Sequence, residues 1–222
     1  MTAYEPPLMR TPRMDELSME IAEMVGRLEP SSPLSTSPTL HRALHIQTIH
    51  SSLVIEGNAL SLDQVTAILD GKRVLGAGDD IREVENASRA YALLPELDPL
   101  SLDDLLRAHH LMTEGLVPSA GRFRDANVGV FDGERLVHAG TPAAYVPGLM
   151  ADLFGWLARS DLHPLLRSCV FHYEFEFIHP FADGNGRTGR LWHTLLLSRW
   201  REMLLWLPVE SVILSRQQEY YA

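Results

Sequence analysis

Residues 179–190 read HPFADGNGRTGR, and this stretch carries most of the chemical information in the chain. It combines a histidine, a carboxylate, a glycine-rich turn and two arginines in a short span. A glycine-rich turn before a helix presents backbone N–H groups to an anion, and the helix N-terminus adds partial positive charge. The combination predicts a site that holds a nucleotide polyphosphate and its magnesium ion beside a general base.

The charged residues of this stretch have separable predicted roles. Histidine titrates near neutral pH, so His179 is the candidate base for an incoming hydroxyl group. Asp183 offers the hard oxygen ligand that Mg²⁺ prefers, with phosphates and water as further ligands. Taken singly, each would be an ordinary loop residue, and it is their joint spacing that favours a catalytic site.

Phosphate binding is predicted for the rest of the stretch. Two guanidinium groups three residues apart share a helix face, and each can fork onto phosphate oxygens. Glycines remove the Cβ atoms that would block a close approach of the backbone. The predicted phosphate-binding residues are Gly184, Asn185, Gly186, Arg187, Gly189 and Arg190.

The composition of the whole chain limits the other possibilities. The 222 residues are 45% hydrophobic and carry a formal net charge of −10, which argues against nucleic acid or an anionic membrane as the main partner. A single cysteine gives no disulfide framework. The N-terminus has no apolar signal segment, and no apolar run is long enough to span a membrane, so we expect a cytoplasmic protein.

Hydrophobic periodicity and capping residues predict a mainly α-helical fold. Ser61 followed by Gln64 is a capping-box pattern that opens a helix. Alternating valine and phenylalanine around Asp132-Gly133 predict a β-hairpin over Arg122–Val137. The longest predicted helices are Leu40–Val54, Ile81–Leu94, Ala143–Leu157, Leu165–Ile178 and Gly189–Trp200.

The stretch 179–190 resembles the Fic family signature, H-P-F-x-[DE]-G-N-[GK]-R-x-x-R, and the resemblance extends over roughly residues 40–222. It implies a helical bundle with a small β-hairpin flap that docks the target. It also implies, because Gly186 occupies the variable position, transfer of AMP from ATP to a hydroxyl side chain of a protein. Doc-type relatives with lysine there use ATP as a kinase would. The flap residues implied in target docking are Val137, His138, Ala139 and Gly140.

Residues 52–57, SLVIEG, are similar to the inhibitory element of that family, [ST]-x-x-x-E-[GN]. The similarity implies that Glu56, with Ser52 in the same element, pairs with Arg190 and blocks the productive pose of the γ-phosphate. A helix end followed by a turn would give the same short pattern. Its position N-terminal to a complete signature favours the inhibitory interpretation. In some relatives the same glutamate also aligns a water molecule for removal of AMP.

The resemblance therefore implies an autoinhibited, Mg²⁺- and ATP-dependent protein adenylyltransferase. Its partner would be a protein with a serine, threonine or tyrosine hydroxyl; self-modification and a homodimer stay open. De-adenylylation, transfer of another phosphate-containing group, and a non-enzymatic toxin–antitoxin-type binding module are the alternatives. We expect a flexible arm and N-terminal helix over 1–38 and a Fic domain over 39–222, with the inhibitory helix at about 40–57 and the core at about 100–215.

Overall fold

A computed structural model describes residues 4–28, 36–127, 129–132, 135–139 and 141–221. The described part of the chain is mainly helical, as the sequence predicts. Two short strands interrupt the helices between α5 and α6. The helices are α1 (Pro12–Leu28), α2 (Pro38–Ile55), α3 (Leu62–Leu69), α4 (Gly78–Ala92), α5 (Leu102–Thr113), α6 (Val146–Arg159), α7 (Pro164–Ile178), α8 (Asn185–Trp200), α9 (Val209–Ser215) and α10 (Gln217–Tyr221).

The α7–α8 pair forms the centre of the bundle, and residues 179–184 join the two helices. Phe171 and Phe175 of α7 and Trp192 of α8 are fully buried in one hydrophobic core. Phe181, in the connecting loop, is buried in the same core and stacks on His109 of α5 with 3.6 Å between ring centroids. Phe181 therefore fixes the middle of the loop to the core.

Helix α2 ends as the sequence predicts, at the turn that carries Glu56. The helix starts behind Ser37, whose hydroxyl accepts a hydrogen bond from the N–H of Leu40. It ends at Ile55, and Gly57 takes a positive φ of 92°. Glycine adopts this conformation without a steric penalty, which explains the sharp stop. The next helix, α3, has both hydrogen bonds of the capping box predicted at Ser61.

Helix α8 starts four residues earlier than predicted, at Asn185 instead of Gly189. Gly184 precedes it with φ of 79°, and a Cβ atom there would lie 2.6 Å from the Cγ2 of Thr113. The glycine therefore packs against α5 and turns the chain directly into the helix. As a result, the predicted phosphate-binding turn is the first turn of the helix itself.

Helix α4 also differs from its predicted span of Ile81–Leu94, because it runs from Gly78 to Ala92. Asp79 and Asp80 lie in its first turn, where carboxylates stabilise a helix N-terminus. Pro95 disfavours α-helical backbone in the residue before it, and residues 94–96 form a short 3₁₀ turn. Residues 143–145 likewise form a 3₁₀ turn before α6, within the predicted helix Ala143–Leu157.

The two strands, β1 (Gly129–Asp132) and β2 (Arg135–Ala139), pair antiparallel. Gly129 faces Ala139 and Asp132 faces Arg135, with an irregularity after Val130 that leaves β2 one residue longer. The paired region is shorter than the predicted Arg122–Val137, because residues 121–127 follow an irregular path. Gly133 and Gly140 lie outside the described residues. The role of the strand pair as a flap stays a prediction.

The N-terminal segment contacts the bundle, although the sequence predicts a flexible arm before the N-terminal helix. The side chains of Tyr4 and Leu8 pack against the main core. The Tyr4 hydroxyl donates to Glu174 of α7 at 2.6 Å. Burial, followed by this carboxylate, raises the pKa of Tyr4. The apolar side chains in this proline-containing segment explain why it packs on α7.

Candidate active site

His179 lies at the point where α7 ends and the signature loop begins. It is half-buried and takes a left-handed backbone conformation, with φ of 53° and ψ of 63°. Its N–H still donates to the Phe175 carbonyl at 3.0 Å, and its own carbonyl accepts a hydrogen bond from Nε of Arg124 at 2.7 Å. For a residue with a Cβ atom this conformation costs about 1–2 kcal/mol. Surrounding contacts therefore have to maintain it.

The side chain of Asn185 locks the loop, and the role of this residue in phosphate binding stays a prediction. Its Oδ1 accepts from the Phe181 N–H at 2.8 Å, and its Nδ2 donates to the Phe181 carbonyl at 2.9 Å. The side chain is buried, and both of its polar atoms bond the Phe181 backbone. Phosphate binding at position 185 is therefore left to the backbone N–H, which has no intrahelical partner in the first turn of α8.

Asp183 has a solvent-exposed carboxylate, with 58% of the side chain exposed. Oδ1 accepts from the Gly184 N–H at 2.6 Å, and Oδ2 lies 3.3 Å from Nη2 of Arg187. No three histidine, cysteine or acidic side chains converge on a metal position within the described ranges. An exposed single carboxylate suits a Mg²⁺ ion that takes its other ligands from phosphates and water.

His109 of α5 supports Asp183 through a hydrogen bond to its carbonyl, a role that the sequence did not indicate. Its Nδ1 accepts from the Gly121 N–H at 2.9 Å, so its Nε2 is the protonated nitrogen and donates to the Asp183 carbonyl at 2.9 Å. Burial lowers the pKa of His109 to about 4. The imidazole is thus neutral at neutral pH, which this pair of hydrogen bonds requires.

Arg187 is buried and paired with a carboxylate that sequence analysis missed. Its Nη1 lies 2.6 Å from Oε1 of Glu83 on α4, with side-chain exposures of 4% and 19%. The other Glu83 oxygen accepts from Nδ2 of Asn58 at 2.8 Å. Asn58 follows the end of α2, so Glu83 connects that turn to Arg187. No sequence motif marks Glu83, because it is one of several acidic residues in α4.

Arg190 makes the contact that the inhibitory element predicts. Its Nη2 lies 2.7 Å from Oε1 of Glu56. Ser52 accepts twice, through its hydroxyl from Nε at 3.1 Å and through its carbonyl from Nη2 at 2.9 Å. The Arg190 side chain is 2% exposed. Burial opposes its charge, but Glu56, Tyr91 and Glu176 outweigh it and raise the pKa of Arg190.

The Glu56 carboxylate lies directly against the first turn of α8. A Cβ atom added to Gly186 would collide with Oε1 of Glu56. This turn combines unpaired N–H groups with the positive end of the helix dipole, so it attracts anions. The carboxylate therefore occupies the position that the sequence predicts for a phosphate group.

Gly189 packs against α7, and its role in phosphate binding stays a prediction. A Cβ atom there would collide with Glu176 and approach the Phe175 ring at 3.0 Å. Glu176 has a buried Oε1 without a hydrogen-bond partner. Burial raises the pKa of Glu176 to about 7, although the charge of Arg190 opposes the shift. A second acidic side chain thus lies near Arg190.

Comparison with known proteins identifies one family. The sequence profile of the Fic/DOC family matches residues 99–197. A crystal structure of a Fic family protein from Desulfovibrio desulfuricans G20 is 52% identical, with a TM-score of 0.94 over 98% of this chain and 67% of that chain. The chain belongs to the Fic family. The Fic-1 structure from Caenorhabditis elegans is similar at 27% identity, with a TM-score of 0.69 over 85% of this chain and 59% of that one.

The curated relatives of this Fic chain are named protein adenylyltransferases. Fic-1 of Caenorhabditis elegans is 33% identical over 196 residues, which cover 82% of this chain and 36% of the relative. Fic of Nematostella vectensis is 28% identical over 210 residues, which cover 85% and 47%. The chain thus spans less than half the length of these two relatives. None of the helices described is both long and apolar enough to cross a membrane.

Proposed function

We propose that this protein is an adenylyltransferase that moves AMP from ATP to a hydroxyl side chain of a protein and is held inactive by Glu56. The observation that carries the proposal is the position of the Glu56 carboxylate, which contacts Arg190 and covers Gly186 at the start of α8. An acidic side chain at a helix N-terminus beside a buried arginine stands in for a phosphate group. The names of the curated relatives support ATP as the substrate and a protein as the acceptor.

The reaction needs one base and one anion site. The acceptor hydroxyl loses its proton to His179 while its oxygen attacks the α-phosphorus of ATP. The bond between the α-phosphorus and the bridging oxygen to the β-phosphate breaks, and pyrophosphate leaves. The N–H groups of α8 and Arg190 stabilise the negative charge on the phosphates. Because the reacting groups are held in place by the protein, a small displacement of His179 would slow transfer strongly.

Mg²⁺ would be held by Asp183, whose exposed carboxylate is the donor that fits it at this site. When bound, the ion would neutralise charge on the phosphate oxygens. Asp183 itself is oriented by the Gly184 N–H and, through its carbonyl, by His109. Arg187 is held by Glu83. We therefore assign Arg187 mainly to support of the loop and of Asp183, and only secondarily to phosphate binding.

The acceptor segment would lie along β1 or β2 as an added strand. Strand addition uses backbone hydrogen bonds and so tolerates different target sequences. We assign this docking role to the end of β2, at Val137, His138 and Ala139, together with Gly140. This role remains a prediction from the family resemblance.

The decisive experiment compares Glu56→Gly with the wild-type protein. Each is incubated with Mg²⁺ and ATP, alone and in a cell lysate, and the products are analysed by mass spectrometry. We expect little AMP on any protein with the wild type and a ten- to hundredfold increase with Glu56→Gly. A charge-assisted hydrogen bond is worth about 1.5–3 kcal/mol, which corresponds to that range.

Two further variants test the roles of His179 and Arg190 in the transfer reaction. His179→Ala in the Glu56→Gly background should reduce transfer by about 10²–10⁴-fold, the usual loss for a general base. Arg190→Ala also breaks the pair with Glu56, yet it should stay inactive because the phosphate loses its arginine. Addition of a phosphate mass instead of AMP would overturn the proposed reaction. Loss of AMP from modified proteins only in the presence of Glu56 would favour de-adenylylation.

A further inference from the structure

Arg124 connects three separate backbone segments through one guanidinium group. It precedes β1 and is 4% exposed. Its Nε donates to the His179 carbonyl at 2.7 Å, and its Nη2 donates to the Ile178 carbonyl at 3.3 Å. Nη1 donates to the Ala126 carbonyl at 3.0 Å, and Nη2 also reaches the Thr141 carbonyl. The backbone N–H of Arg124 donates to the Pro180 carbonyl at 3.0 Å.

These partners are of two kinds. Ile178 and His179 carry the carbonyls at the C-terminal end of α7, where the helix leaves acceptors without intrahelical donors. The last turn of α7 contains no basic residue of its own. A cation at this end also interacts favourably with the helix dipole. Arg124 therefore caps α7 from outside the helix, at the residue whose left-handed conformation has a steric cost.

The other partners flank the strand pair. Ala126 lies three residues before β1, and Thr141 lies two residues after β2. The adjacent Phe123 packs on Phe181 with 5.6 Å between ring centroids, which fixes the start of this segment to the core. One guanidinium thus holds both stems of the strand pair and the carbonyl of His179. Burial lowers the pKa of Arg124, because removal from water opposes its charge.

We propose that Arg124 is a positioning residue for the transfer reaction: it holds the His179 backbone in place and sets its distance from the strand pair. The proposal rests on the proposed function, in which His179 is the base and the strand pair docks the acceptor. A lysine cannot replace Arg124, because one ammonium group cannot donate in a plane to carbonyls on both sides. The α8 turn that receives the phosphates makes no contact with Arg124 among those described here, so ATP binding should depend little on it.

The test uses Arg124→Lys and Arg124→Gln in the Glu56→Gly background. The matched control is Arg122→Gln, because Arg122 is an exposed arginine two residues away that donates to the Pro118 carbonyl. The measured quantities are the rate constant of AMP transfer and the ATP concentration for half-saturation. We expect both Arg124 variants to lose about 10–10²-fold in rate. The half-saturating ATP concentration should stay within about threefold, and Arg122→Gln should match the parent.

A second measurement does not depend on transfer. The backbone amide signal of His179 in a ¹⁵N-labelled protein should shift in Arg124→Lys and stay unchanged in Arg122→Gln. A folded Arg124 variant with the parental transfer rate would overturn the proposal. So would a parallel loss of transfer and ATP affinity with a lowered unfolding temperature, which indicates a general structural role. If Glu56→Gly itself transfers no AMP, the proposed function fails, and an unshifted His179 signal then overturns this inference independently.

Discussion

Arg187 and Arg190 lie one helical turn apart on α8, and both are buried, yet their surroundings differ in one important respect. Arg187 is paired with Glu83, which is itself bonded to Asn58 and lies inside the bundle. Arg190 is paired with Glu56, which is 33% exposed and lies just beyond the end of α2. Ser52 and Glu176 remain near Arg190 when Glu56 is removed. We infer from this difference that the Arg187–Glu83 ion pair is structural and that the Arg190–Glu56 ion pair can exchange.

The largest expected effect is a difference in stability between variants that break one ion pair or the other. Glu83→Ala leaves the Arg187 charge buried beside Asp183 at 3.3 Å, so we expect a loss of about 3 kcal/mol in the free energy of unfolding. Glu56→Ala should cost less, because Ser52 still bonds Arg190 and Glu176 can ionise beside it. Chemical denaturation of both variants at pH 7 checks the difference. Equal losses would show that the two pairs are equivalent, and the comparison would then be wrong.

A smaller effect concerns the pH dependence of stability that comes from His109, which supports the loop through Asp183. The pKa of His109 is lowered to about 4 by burial, from an ordinary value of 6.5. Between these values the unfolded chain binds the proton more strongly, so stability is lost as the pH falls from about 6.5 towards 4. At pH 5 the loss from His109 should be about 2 kcal/mol relative to pH 8.

Unfolding curves of the wild type and His109→Gln at pH 8 and pH 5 test this expectation. The glutamine variant is less stable at pH 8 but should lose less between the two values. An unchanged pH dependence in the variant would mean that other buried histidines, such as His172 and His193, account for the acid sensitivity. Their pKa values are lowered by burial to about 3 and about 4.

The smallest effect is the loss of stability when the Ser52 hydroxyl, which bonds Arg190, is removed. Ser52→Ala removes the hydroxyl acceptor of Nε but keeps the carbonyl acceptor of Nη2. We expect a loss of about 1 kcal/mol in stability, the usual value for one hydrogen bond. Thermal unfolding measures it, with Ser51→Ala as the neighbouring control, since Ser51 bonds Ser211 on α9. If Ser52→Ala costs as much as Glu83→Ala, Arg190 is held mainly by Ser52 and the exchange of Glu56 loses its basis.

The sequence predicted those features of the fold that depend on local patterns. Gln64 lies three residues from Ser61, so the capping box could be assigned from its neighbours along the chain. The helix start at Asn185 was missed because Gly184 and Gly186 suggested a loop. The left-handed conformation at Gly184 and its contact with Thr113 explain why a glycine here begins a helix.

The supports of the site could not be predicted, because their partners are distant along the chain. Arg187 and Glu83 are separated by 104 positions, and His109 and Asp183 by 74. Arg124 and His179 are separated by 55 positions. Histidine, arginine and glutamate at such positions resemble ordinary surface residues until packing brings their partners together. Single-sequence patterns report spacing along a helix, whereas these contacts depend on how helices pack.

The close approach of Glu56 to Gly186 has an evolutionary consequence. The carboxylate can rest on α8 only while position 186 has no side chain, because a Cβ atom would occupy the same space. Any lineage that gains a side chain at position 186 would displace the glutamate in the same mutational step. Selection on position 56 would then relax, and its identity could drift. The two positions should therefore change together among descendants of this chain, and a glutamate at 56 beside a bulky residue at 186 should be rare.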